Sequence, residues 1–460
     1  MSTSTTPTFA DLKEEALQLR REKRYAEALP LFQRLWSSHR ELCSAWEGWG
    51  YALALRQCGR TAEALDICRE VYRARPDFGP NRQLYAWCIY DTVLRQPQEG
   101  DPERVLHAGR AIIELCKQAD EHAPYTLAVL RVMRYLLRRP LPQPEVCLTW
   151  SELLEESLLP ADGKTVSKKD GSTLELPGFR EQYCALRIKA LFLAEQYDAC
   201  IESCEGALEH FPAPHHENGI WWRRYAALSK ARLGHTEAAL ALYRELLPRK
   251  RSWFIQHEMA ELCAAAGDRK QALTLGLQAA LNYGEPRHKV NLYRQLAHWL
   301  LEEGHPEEAG RHVSLAAAIR EENGWQPDPG LEELRLRNLE GFVDVDGSEN
   351  VPTDLPALLH RLRQEWIERL FAIAEVQHGM LHDLLPHGRA GFIERPDGRR
   401  FYFAVSCFYG KPGDLRKGMP LAFITGPGYD PRKQCVVETA FHLRPRHVYE
   451  TPEVEDISLD

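Results

Sequence analysis

A recurring pattern of roughly 35 residues constrains this chain more than any other feature. Arg24-Tyr25-Ala26-Glu27-Ala28-Leu29 returns 36 positions later as Arg60-Thr61-Ala62-Glu63-Ala64-Leu65, followed by Cys68 and a closing Pro76. Gln196-Tyr197 leads in the same way to Cys200, Cys204, Ala207 and Pro212. Three glycines open further rounds: Gly234 before Ala239 and Tyr243, Gly267 before Ala272 and Gly276, Gly304 before Ala309 and Val313. Gly234 to Gly267 is 33 positions and Gly267 to Gly304 is 37. A unit this short cannot bury a core alone, so each must hide its apolar face against its neighbours. The pattern predicts two helices per unit. Ala28, Ala64, Ala239, Ala272 and Ala309 fall early in the second, where a small side chain lets it lie close to the first. The preceding Gly or polar residue ends the first helix in a left-handed cap. Phe32 and Tyr243 fill space toward the next unit.

These spacings resemble the tetratricopeptide repeat over most of residues 8–320. The resemblance implies a mostly α protein: a tetratricopeptide-type α-solenoid whose first helices line a groove for a protein partner. Residues 78–195 match less well and read as divergent repeats, although Asp101-Pro102-Glu103 with Val105, Ile112 and Leu115 still predicts a capped amphipathic helix. The segment 160–178 carries two Asp-Gly pairs and predicts a projecting loop or hairpin.

Composition narrows the function classes. With 44% hydrophobic and 27% charged residues the chain sits near the globular average. Its most apolar stretch, 125–137, is broken by Arg131 and Arg134, so no membrane span is expected. Residues 1–15 lack an apolar signal core, which gives a cytoplasmic expectation. The 12 cysteines are scattered without a CxxC. Cys200 and Cys204, upstream of His210, His215 and His216, come nearest to a metal pattern and read as helix packing instead. A formal net charge of −8 excludes a globally basic nucleic-acid binder, so any such binding must be local. Gly163-Lys164-Thr165 has Leu158 where a phosphate loop needs Gly, and His257-Glu258 lacks the second His of a metalloprotease helix. With no catalytic, cofactor or metal constellation, the expectation is a non-enzyme.

Beyond 320 the repeat fades. Polar stretches at 322–330 and 343–354 mark a boundary, and 321–377 reads as linker plus a connector helix on Leu355, Leu359, Leu362, Trp366 and Leu370, capped by Thr353 or Asp354. From Gly379 the texture becomes short β runs at 391–394, 400–406, 415–424 and 434–440, with a turn at Pro396-Asp397-Gly398. The order of motifs resembles a cold-shock domain, a small five-stranded OB β-barrel, over 378–449. Gly391-Phe392-Ile393 falls at that family's first RNA-binding motif, Phe401-Tyr402-Phe403 at its second, and Leu415-x-x-Gly418-x-x-Leu421-x-Phe423 before its fourth strand. The resemblance implies weak contact with RNA or single-stranded DNA: Phe392 and Tyr402 stack bases, while Arg389, Arg400, Lys411, Lys417, Arg432 and Lys433 draw in the backbone. The sequence departs from the family at Asp383, Ala390, Ala404 and Val405, where aromatic or His positions align. Residues 378–449 carry eleven basic and six acidic side chains, a net +5. Phe408 and Tyr409 read as edge rings, Phe408 equally as core.

The acidic tail 450–460 reads as solvated and as a competitor for the barrel's basic face. The basic clusters of the repeats, Arg20-Arg21 with Lys23-Arg24, Arg131 with Arg134, Arg138 and Arg139, and Arg249-Lys250-Arg251, read as solvated helix faces. The expected function is a non-enzymatic adaptor, with a protein partner in the repeat groove and nucleic acid at the barrel. One alternative is a pure protein-interaction platform whose barrel no longer binds nucleic acid. Another, from the domain combination, is an accessory factor of a bacterial nucleic-acid defence or repair system.

Overall fold

The computed structural model describes residues 8–98, 100–167, 170–337 and 354–446. The chain divides into two compact units, Met1–Tyr225 and Ala226–Asp460. The first holds helical hairpins: Phe9–Arg21 (α1) with Tyr25–Ser38 (α2), and Ala45–Gln57 (α3) with Thr61–Ala74 (α4). Gly79–Ile89 (α5), Pro102–Leu115 (α6), Tyr125–Arg138 (α7) and Pro144–Ser151 (α8) follow. A small hairpin, Lys164–Ser167 (β1) with Thr173–Leu176 (β2), precedes Phe179–Leu193 (α9) and Tyr197–His210 (α10). Helix Asn218–Arg232 (α11) spans the division.

The repeat grammar has a concrete backbone form. In six hairpins one N–H reaches back five residues to a carbonyl at 2.9 Å: Arg24 to Leu19, Arg60 to Leu55, Gln196 to Leu191, His235 to Lys230, Asp268 to Cys263 and His305 to Leu300. This is the helix-ending bond that a left-handed residue permits. Gly59, with φ of 80°, supplies that residue at no steric cost, whereas Glu195 adopts the same region, at 59°, with a side chain. Among the described residues of the divergent stretch, from α5 to α8, no helix ends in this left-handed turn with its five-residue bond. There α5 runs on into a π turn at Tyr90–Leu94, closed by Arg95 N–H to the Tyr90 carbonyl at 2.8 Å.

The predicted small residues lie where the helices touch: Ala28, Ala64 and Ala239 are fully buried, and Ala272 and Ala309 nearly so. The first helices contribute close approaches too. A Cβ on Gly48 would stand 2.4 Å from Val71 and 2.6 Å from Trp36. Gly48→Ala is therefore expected to cost about 2–3 kcal/mol through overpacking, seen as a fall in the unfolding midpoint. Gly206→Ala, whose added Cβ meets nothing within 4 Å, should leave the midpoint level or raise it.

The second unit continues with Thr236–Leu246 (α12), Trp253–Ala265 (α13), Arg269–Leu281 (α14), Val290–Glu302 (α15) and Pro306–Glu322 (α16). Pro329–Arg337 (α17) and Leu355–Ile373 (α18) follow, so the expected linker contains a helix of its own. In α18, Leu358, Leu362, Trp366 and Leu370 are buried, and the helix packs on α14 and α16. Trp366 stacks on Tyr293 of α15, with centroids 5.6 Å apart and planes 10° apart. Asp354 occupies the N-cap position without a side-chain hydrogen bond, and Thr353 lies outside the described residues.

The β elements form a closed five-stranded barrel: Val376–Leu384 (β3), Ala390–Glu394 (β4), Arg400–Ala404 (β5), Pro420–Asp430 (β6) and Cys435–Pro445 (β7), in the order β3-β4-β5-β7-β6. All neighbours are antiparallel except β5 and β7. Leu381, Ile393, Phe401, Phe403, Leu421, Phe423 and Leu443 fill it. The architecture is that of helical repeats followed by a small OB-like barrel. Boundaries differ from expectation. The barrel begins at Val376, and 415–419 is a turn ending in strand only at Pro420. The acidic tail lies outside the described residues. Among them, no helix is long and apolar enough to cross a membrane.

Candidate functional site

Alternation along β4 and β5 sends Ile393, Phe401 and Phe403 inward, and Phe392 and Tyr402 to the other side. The two strands pair so that Phe392 and Tyr402 are direct neighbours, with ring centroids 5.9 Å apart at 71°. Tyr402 is 42% exposed and Phe392 half-buried. Gly391 lets β3 come close: a Cβ there would stand 2.5 Å from the Asp383 carbonyl oxygen and 2.8 Å from Phe403.

The surroundings of this ring pair are mixed in charge. Asp383 on β3 stands opposite Phe392, and Thr439 on β7 beside Tyr402. Arg400 donates to Glu394 at 2.7 Å, and the same carboxylate meets His382 at 3.0 Å. Arg389 is exposed just before β4. Lys411 and Lys417 flank the turn between β5 and β6, both exposed. Arg432 and Lys433 occupy the tip of the β6–β7 hairpin, where their backbone N–H groups donate to Asp430 at 2.9 and 3.2 Å. That tip is seven residues along β7 from Thr439, on the order of 20 Å at strand rise. The eight residues expected at the interface thus fall in four places, and Phe392, Tyr402 and Arg400 share one of them.

The opposite side of the barrel is occupied by the helices of the same unit, which corrects three expectations. Arg251, read as part of a solvated run, lies 3.7 Å from the Phe441 ring centroid and donates to the Pro427 carbonyl at 3.0 Å. Burial pushes its guanidinium down to about 10. Arg249 sits over Tyr429 at 4.5 Å. Tyr409, read as an exposed edge ring, is half-buried with its hydroxyl against His442 Nδ1 and Arg363 over its ring at 5.8 Å. Phe408 is core. Arg444, counted in the barrel's positive field, is held by Glu368 at 2.7 Å and lies over Phe371. His442 has a φ of 53°, beside the register shift between Phe423 and Ile424. Burial lowers its imidazole to about 3. No spacing in the sequence signals this set, because its members come from α18, the α12–α13 turn, the β5–β6 connection and β6–β7.

Elsewhere, Cys200 and Cys204 are buried on α10. Among the described residues no group of three His, Cys, Asp or Glu side chains is placed to hold a metal ion.

With the geometry in hand, the chain can be set beside known proteins. The family described as a domain of unknown function (DUF7017) matches residues 220–340. No curated protein matches the chain. Solved structures similar to it include a tetratricopeptide repeat protein from Parabacteroides merdae, 12% identical, covering 72% of this chain and 98% of that one at a TM-score of 0.29. The C-terminal part of a TPR repeat-containing protein from Cytophaga hutchinsonii is 12% identical over 70% of this chain and 98% of that one, at a TM-score of 0.30. A human IFIT1 dimer with PPP-AAAA is 13% identical over 79% and 82%, at a TM-score of 0.35.

Proposed function

We propose that this chain is a non-enzymatic adaptor: its helical repeats bind a protein partner, and its cold-shock-like barrel makes weak contact with RNA or single-stranded DNA. The observation that carries the reading is the two-sidedness of the barrel. Its β6–β7 side is engaged by Arg251, Arg363 and Phe371, while the β4–β5 side presents Phe392 and Tyr402 to solvent as neighbouring rings. Exposed rings stack on unpaired bases of any sequence, and Arg389, Lys411 and Lys417, which make no ion pair among the described residues, add positive charge. Two rings are few, so affinity is modest, with Kd of order 10⁻⁵ M near physiological salt.

The test is a titration of labelled 12-nucleotide RNA and DNA into the full chain at 50 and 200 mM salt. Phe392→Ala with Tyr402→Ala is expected to weaken binding about 30-fold, from ~1 kcal/mol per stacked base. A flat titration at low salt overturns the nucleic-acid role. A second reading is favoured by Asp383 and Glu394, carboxylates on the same side as the rings, which repel phosphates. In that reading the face docks a protein, and the same titration is flat while the repeats still bind their partner.

A further inference from the structure

Five cations lie along or at the end of the adjacent helices α7 and α9. Arg131, Arg134 and Arg138 recur at helical spacing on one side of α7, Arg139 follows them, and Lys189 comes from α9. Among the described residues none of the five is ion-paired. Arg134 donates to Gln182 at 2.9 Å and Lys189 to the Leu137 carbonyl at 3.3 Å, both neutral acceptors. One Arg139 guanidinium nitrogen, Nη1, is buried with no hydrogen-bond partner among the described residues. Burial and the flanking Arg131 and Arg138 lower the Arg134 guanidinium, and burial with Arg138 lowers Lys189. Partly buried charges are ordinarily paired, since desolvation and mutual repulsion both oppose folding. A cluster that tolerates both without an internal counter-ion is shaped for an external one.

We infer that this cluster is a docking site for an acidic segment of the protein partner, an extended stretch rich in Asp or Glu. The inference rests on reading the repeats as the protein-binding part of the adaptor. Arg131 and Arg138 are about 10 Å apart along the helix at 1.5 Å per residue. An extended peptide places side chains on one face every ~6.8 Å, so two or three carboxylates span the cluster, each open to forked guanidinium bonding. The site lacks what a nucleic-acid strand needs, because the rings nearest it in sequence or field, Tyr90 and Tyr135, are buried at 6% and 7% exposure and offer no stacking face.

The experiment uses the full chain and a labelled ten-residue peptide of alternating glutamate and serine, with a glutamine-serine peptide as control and 12-nucleotide RNA as competitor. The glutamate peptide is expected to bind with a salt-weakened affinity and the glutamine peptide not to bind. Arg131→Gln with Arg138→Gln is expected to reduce binding at least tenfold while the unfolding midpoint holds or rises, because repulsion is relieved. The proposal is overturned if the glutamate peptide fails to bind, or binds the double variant equally well. A drop in midpoint without loss of peptide affinity assigns the arginines a structural role and also overturns it. RNA binding that is lost in this double variant, yet kept in Phe392→Ala with Tyr402→Ala, makes the site one for nucleic acid and overturns the peptide assignment. Failure of the barrel to bind RNA leaves the peptide result standing, so the two readings fail separately.

Discussion

Replacing Arg251 with alanine is expected to loosen the barrel from its helices and lower the stability of the C-terminal unit by about 3 kcal/mol. The guanidinium contributes a close face contact with Phe441 and a hydrogen bond from its charged head to the Pro427 carbonyl. A desolvated cation on a ring is worth about 2 kcal/mol and a charged hydrogen bond roughly 1.5–3, against which stands the cost of burying the charge. Truncation removes the gains and leaves the Pro427 carbonyl unpaired above a void. Gly426 sharpens the fit, since a Cβ there would come within 3.2 Å of the guanidinium. Arg251→Met keeps the stem over Phe441 and is expected to lose less than half as much, because an apolar replacement also removes the buried charge. Urea unfolding followed by tryptophan fluorescence measures both, and protease cleavage between α18 and β3 should accelerate in the alanine variant alone. Equal midpoints for Arg251→Ala and the parent chain would show that the barrel is held by other contacts.

Acidification should unfold the same unit well above the pH at which its carboxylates protonate. His312 is buried on α16, accepting the Trp366 indole N–H at Nε2, 2.7 Å away, with Nδ1 2.7 Å from the Glu308 carbonyl, to which it donates. Both ring nitrogens are thereby committed to the neutral form. Burial lowers the imidazole to about 4, with Arg311 and Arg369 nearby pushing the same way and Glu365 opposing. His257, buried on α13, is likewise lowered to about 4. In the unfolded chain each titrates near 6.5, so between pH 6.5 and 4 the unfolded state binds more protons than the folded one. Their stabilising contribution is whole above 6.5 and drains away as pH falls toward 4. From pH 7 to pH 5 each histidine accounts for about 2 kcal/mol. His312→Gln is expected to flatten this acid limb while lowering stability at pH 7, where the indole loses its acceptor. An unchanged pH slope in that variant would remove His312 from the account.

Much of the fold can be read from residue order, and particular positions show why. The alanines at 28, 64, 239, 272 and 309 and the turns at Gly59, Gly234, Gly267 and Gly304 report local geometry, which a short stretch of chain dictates by sterics and hydrogen bonding. Phe392 and Tyr402 sharing a face follows from strand alternation and antiparallel pairing. The helix α17 is hidden from the sequence because Pro327-Asp328-Pro329-Gly330 reads as a break, whereas in the fold Pro329 opens the helix. Arg251 is illegible in the sequence for a different reason. A basic triplet in a turn looks solvated from either side of the chain, and nothing adjacent to it mentions Phe441, which lies 190 positions away.

The amino-acid order by itself determined the hairpin grammar, the five-stranded barrel and the pair of outward rings, since each depends on interactions among residues a few positions apart or on one strand and its neighbour. Only the tertiary structure decided which face of the barrel stays open, that Tyr409 and Arg444 serve the docked side, and that Arg134 and Lys189 each donate to a neutral acceptor. Burial and electrostatic environment belong to surfaces brought together from distant parts of the chain, and no local pattern encodes which surfaces those are.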